Sequence, residues 1–284
     1  GKRLTRAEVF HALHHNGAEE PADLDTLTTS VDALTGFGKV SQNVALKCVL
    51  ATRGHDISRD LHHEFRDDAE RAASFNAAAS AMRSAIAFLQ QHAGVPHYDF
   101  LPYPNLLVVL TRIAHFFSTE LATDPRAVER LRVWFWRAAS HPQSSSTAEV
   151  RKLLGAVDES SLGQTLEALL GTPFEFRTVS ISQVRKGTAA AKILSCLYWT
   201  HEPLSLSTGE PVTADQFAAT EGMHLVQVLP RTRMPSSFSS SFARFLLDPS
   251  AEDVDLRDWR FHPPSANSLR SHFFEPDVVP VADA

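Results

Sequence analysis

A chain of 284 residues with 43% hydrophobic side chains has enough apolar material for one large domain or two modest ones. Charged residues make up 21% and sum to −6, which excludes a strongly basic nucleic-acid coat; any DNA contact has to come from a local cluster. No run of about 18 uninterrupted apolar residues is present, so a membrane span is not expected.

The pattern in chain order is mainly helical. Thr5 and Glu8 fit a capping box, in which each side chain satisfies a free amide of the first turn, and that helix is expected to stop at Gly17. Leu24, Leu27, Val31 and Leu34 recur at helical spacing before Gly36 and Gly38. A further helix is predicted from Ser41 to Arg53. A long one is predicted from Ile57 to Gln91, with Leu61, Phe65, Ala72, Phe75, Ala79, Met82, Ile86 and Leu89 as one apolar face.

The prolines of YDFLPYP (98–104) predict a rigid lead into the apolar helix NLLVVLTRIAHFF. Asp124-Pro125 reads as an N-cap followed by proline at the first helical position. The helix it opens carries Leu131, Trp134, Phe135 and Ala138 as a core stripe. HPQSSSTAEV (141–150) reads as a polar loop and a subdomain boundary, giving expected domains of 1–140 and 141–284. Two short helices follow, ending at Gly155 and Gly171. PFEFRTVSI alternates like a strand, Lys186 to Thr200 reads as a helix stopped by Pro203, and a last helix is expected near Ser265 to Phe273.

Cys48 and Cys196 lie far apart in apolar helical stretches and read as reduced core thiols, which points to a cytoplasmic location. His11, His14 and His15 share a helix face at metal-ligand spacing, yet no carboxylate or cysteine stands beside them. His62, His63 and Glu64 are consecutive and diverge on a helix. GFGK at 36–39 lacks the length and the following Ser or Thr of a phosphate loop. No basic-then-apolar leader opens the chain, and GKRLTRAEVF reads as the middle of a longer protein.

Several segments, in order, carry a resemblance. GKRLTRAEVFHAL, FLPYPNLLVVLTRIAHFF, RLRVWFWRAAS, AAAKILSCLYWTHEPLSLSTGEPV and SLRSHFFEPDVV together resemble the C-terminal part of the GmrSD-type family. Those bacterial proteins join a ParB/sulfiredoxin-like NTPase domain to an HNH-like nuclease element and are linked to Type IV restriction and phage defence. The resemblance implies a mainly α fold, a helical bundle with a small α+β, HNH-like element near the C-terminus. It implies an upstream NTPase-like domain as the partner in the same protein, with DNA as a further partner and oligomerisation open. No membrane partner is expected, since the chain has no long uninterrupted apolar run. No cofactor is expected in this chain itself; nucleotide and divalent metal belong to the full-length protein.

EGMHLVQVLPRTRM (221–234) departs from the family's His-His-Ile-Phe-Pro pattern. Aligning the proline on Pro230 puts Val226 and Gln227 where histidines stand, and His224 lies six residues before the proline. An HNH nuclease needs an imidazole as general base near neutral pH, a role no glutamine amide can fill. A three-residue shift along an extended strand moves the ring by about 10 Å. His224 is therefore only a weak catalytic candidate, and the element reads as degenerate. Arg231, Arg233 and Arg244, with Lys186 and Lys192, are the DNA-binding candidates, opposed by Asp248, Glu252, Asp253, Asp255 and Asp258 nearby. The expected function is a helical module that scaffolds or regulates the upstream domain and contacts DNA. The alternatives are an active metal-dependent HNH endonuclease or nickase, and a protein-interaction module with no nucleic-acid role.

Overall fold

Short caps and buried faces set the helices of the computed structural model, which describes residues 23–54, 56–58, 65–173, 187–218, 225–227, 245–247 and 264–273. Contacts divide the chain into two units, one of residues 1–93 with 103–177, the other of 94–102 with 178–284. Position 140 falls inside the first unit.

In the first unit, α1 (Leu24–Thr35) opens where the Asp23 carboxylate accepts from the Thr26 amide at 2.7 Å. It closes on Gly36, whose φ of 60° lets its amide reach the Asp32 carbonyl. Leu24, Leu27 and Val31 are buried as expected, but Leu34 is 67% exposed. It lies roughly 80° round the helix from Leu24, and Thr28 takes its place on the inner face. Helix α2 (Gln42–Arg53) matches the expected span, with Ser41 at its N-cap.

The long third helix is shorter than its apolar pattern suggested. α3 (Asp68–Gln91) begins at the Asp67 cap, whose carboxylate accepts from the Glu70 amide at 2.7 Å. Ile57 and Ser58 form a turn and Phe65 precedes the cap, so the apolar rhythm runs across a break in the backbone. Phe75, Ala79, Met82, Ile86 and Leu89 are buried along α3 as predicted.

α4 (Asn105–Thr123) is the central helix of this unit, packed against α2 and α3. Leu106 through Ala114 are buried without interruption, the all-round burial expected of a core helix. Burial stops at Phe117, where φ is −127° and ψ 22°, and the last turn is exposed. Among the described helices it is the one long and apolar enough to cross a membrane by length and composition alone.

Asp124 then accepts from the amides of Arg126 and Ala127 and starts α5 (Pro125–Ala139), with Leu131, Trp134, Phe135 and Ala138 buried. The expected loop at 141–150 is instead a 3₁₀ turn, Pro142–Ser145, running into α6 (Thr147–Gly155). Polarity misled here because the serines work locally. Ser144 is buried and donates to the Ala138 carbonyl, and Ser146 caps α6 through the Glu149 amide. α7 (Leu162–Gly171) completes this flank against α5.

In the second unit, a 3₁₀ turn (Tyr98–Phe100) lies against α8 (Ala189–Thr200). α8 starts three residues later than Lys186 because Gly187 is left-handed (φ 80°) and Thr188 caps the Ala191 amide. A short helix α9 (Ala214–Ala218) follows. Strands β1 (Leu225–Gln227) and β2 (Phe245–Leu247) pair antiparallel, with Leu225 opposite Leu247 and Gln227 opposite Phe245. β2 lies against α8, and α10 (Ala266–Ser271) opens on the Ser265 cap. The readings at Thr5 to Gly17, Leu61, His62 to Glu64 and Phe174 to Ile181 lie outside the described residues.

Candidate functional site

In the second unit two side chains of α8 face backbone across from the helix. Lys192 and Cys196 stand one turn apart. The Lys192 ammonium donates to the Leu101 carbonyl at 3.2 Å, and the Cys196 thiol to the Phe100 carbonyl at 3.5 Å. Burial lowers the Lys192 pKa against the pull of Asp99 and Cys196, and burial raises that of the Cys196 thiol. Both groups therefore hold the 98–102 segment against the helix instead of presenting a nucleophile.

Past the end of α8, Glu202 turns left-handed (φ 51°) and the chain folds back on itself between Pro203 and Val212. The Ser205 amide donates to the Glu210 carbonyl and the Val212 amide to the Pro203 carbonyl, both at 2.8 Å. α10 clasps this turn. Ser268 donates to the Ser205 carbonyl at 3.2 Å, and the Leu204 amide donates to the Ser271 hydroxyl at 3.0 Å.

His272 is fully buried beside the clasp. Its Nδ1 lies 2.9 Å from the Ser268 carbonyl. A carbonyl only accepts, so Nδ1 carries the hydrogen there. The ring centres on Tyr198 at 5.7 Å, and Phe273 packs on both Tyr198 and His201, the latter at 4.2 Å. Burial raises the Tyr198 phenol. This cluster joins the segments 198–212 and 265–273, and its chemistry is that of a fastening.

The first unit holds a second polar centre that sequence reasoning missed. Arg112, 3% exposed, donates to the Ala51 carbonyl at 2.6 Å and to Glu159 at 2.7 Å, and it lies over the Phe116 ring at 5.3 Å. It thus satisfies a carbonyl at the C-terminal turn of α2, where a cation is also favoured by the helix dipole. Burial and the Arg112 charge lower the His115 pKa, opposed by Glu159. Cys48 is buried nearby in sequence terms on α2, hydrogen-bonded by Thr111, and burial pushes its thiol up to about 12. The signal for Arg112 was a lone cation inside an otherwise apolar helix.

Of the residues expected to act on DNA, Lys192 is described, half-buried and engaged with Leu101. His224, Arg231, Arg233, Arg244 and Lys186 lie outside the described residues. Gln227 ends β1, and His224 immediately precedes that strand. Among the described residues no group of three or more His, Cys, Asp or Glu side chains is placed to hold a metal ion. Fold and site define a mainly helical protein. No family model, no curated protein and no solved structure matches the chain.

Proposed function

We propose that this chain is the C-terminal helical module of a GmrSD-like restriction or antiphage-defence protein, which scaffolds or regulates an upstream NTPase-like domain and contacts DNA. One observation favours support over catalysis: reactive side chains on α8 and at the C-cap of α10 are turned onto backbone carbonyls. Lys192 meets Leu101, Cys196 meets Phe100 and His272 meets Ser268. Two of the segments that carry the resemblance, AAAKILSCLYWTHEPLSLSTGEPV and the start of SLRSHFFEPDVV, fall on these elements, and a glutamine stands where the family's nuclease has its base.

The rival reading, an active HNH nuclease, draws support from the antiparallel β1–β2 pair beside α8, the kind of frame a ββα-metal site uses. Incubating the chain with supercoiled plasmid and Mg²⁺ or Mn²⁺ separates the two. Plasmid left supercoiled is expected. Metal-dependent nicking that disappears in His224→Ala, with circular dichroism unchanged, would establish the rival.

A further inference from the structure

Charges of the first unit are mostly matched. Lys39 meets Asp25, Arg53 and Arg66 share Glu70, Arg71 meets Asp68, and Arg112 meets Glu159. Arg132 meets Glu129, and Arg151 and Lys152 meet Asp56 and Glu149. Among the described residues Arg83 on α3 is an exception, and helix α5 holds two more. It carries four arginines against one glutamate, and the guanidiniums of Arg126 and Arg130 have no hydrogen bond or ion pair among the described residues.

Both positions are locally unfavourable. Arg126 sits in the first turn, where the helix dipole disfavours a cation. Arg126 and Arg130 are four residues apart, a like-charge spacing that costs a helix a few tenths of a kcal/mol. A sequence that breaks two local rules on one face, with no compensating contact among the described residues, marks a surface used for something else.

The same face continues through Val133 and Arg137, so Arg126, Arg130, Val133 and Arg137 form a stripe about 16 Å long. Val133 is 45% exposed, one of few large apolar side chains so placed, and Trp136 beside it is half-buried. Arg137 is anchored by donating to the Leu170 carbonyl.

Apolar anchors among arginines are the composition of a protein-binding patch. Two guanidiniums without a partner among the described residues are also few for a nucleic acid, whose salt-sensitive binders make roughly 6–10 phosphate contacts. We infer that the exposed face of α5 is a docking surface for an acidic amphipathic helix of a protein partner, with carboxylates one turn apart meeting Arg126 and Arg130 and an apolar side chain meeting Val133. The inference is independent of the proposed function, since it needs neither the family resemblance nor the β1–β2 region.

The test uses a fluorescein-labelled synthetic helix of about five turns, with glutamates four residues apart and a leucine row beside them. Fluorescence anisotropy with the full chain at low salt should show saturable binding. Arg126→Glu with Arg130→Glu should weaken it at least tenfold, since opposed like charges repel across an interface. Replacing the peptide's glutamates by lysines should restore binding to that double variant but not to the wild type. Absent binding, equal binding by the variant, or failed restoration would overturn the inference. Tighter, variant-sensitive binding of a DNA duplex at the same ionic strength would also overturn it and reassign the stripe to phosphate.

Discussion

Replacing Arg112 and Glu159 separately distinguishes two halves of one contact. Arg112 is buried, while the Glu159 side chain is 59% exposed. Removing Glu159 leaves the guanidinium its Ala51 carbonyl and opens its other edge to water. Glu159→Ala should therefore cost about 1 kcal/mol, the scale of a partly exposed pair. Arg112→Ala removes the hydrogen bond to a helix-terminal carbonyl, the stacking on Phe116 and a large packed side chain together. About 3–5 kcal/mol is expected there, from lost packing and an unpaired buried carbonyl and not from a stranded charge. Urea denaturation reads both, and equal costs would show that the ion pair, instead of the carbonyl and the packing, is what Arg112 supplies. The lone arginine was legible in the sequence, but its partners were not: Ala51 and Glu159 are distant in the chain, and the packing of α2 against α4 brings the first to it while that of α6 and α7 against α4 brings the second.

At the scale of elements, what was legible followed the caps. Asp23, Asp124 and Ser265 each accept from an amide of the first turn, and the helices they open begin where the sequence placed them or within two residues, whereas Ser146 caps a helix that starts inside the stretch expected to be a loop. Apolar rhythm alone was less exact. It carried α3 back to Ile57 past the Asp67 cap, because periodicity records which side chains face inward and is blind to a break between two inward-facing stretches. In the second unit, the turn before the 3₁₀ segment meets the end of α8 at Gly94, which is left-handed (φ 69°). A Cβ there would stand 2.8 Å from the Thr200 Cγ2. Gly94→Ala therefore faces two penalties, a backbone conformation disfavoured by about 1–2 kcal/mol for an L side chain and a steric clash. Thr200→Ser deletes the clashing methyl while retaining the hydroxyl that donates to Leu197. The double variant should recover part of the lost stability and leave the backbone share. A Gly94→Ala variant as stable as the wild type would sink this account, as would full recovery in the pair.

For the whole molecule, each unit holds one buried thiol, which makes the cysteines paired reporters of two cores. Cys48 lies in the first unit and Cys196 in the second, both free and shielded. Burial raises both pKa values, so each reacts with an alkylating reagent only once its surroundings open. Among the described residues the first unit buries Trp134, Phe37, Phe135, Met82, Ile86 and most of α4, whereas the second rests on a shorter set around Phe100, Leu101, Leu194, Tyr198 and Leu269. Stability scales with the apolar area withdrawn from water, and cooperative units open in the order of their own free energies. Pulsed iodoacetamide labelling across a urea series, read by mass spectrometry of the two cysteine peptides, should find Cys196 modified at a lower urea midpoint than Cys48. A single shared midpoint would mean that the chain unfolds as one cooperative body, and Cys48 reacting first would place the weaker core in the helical unit around α4.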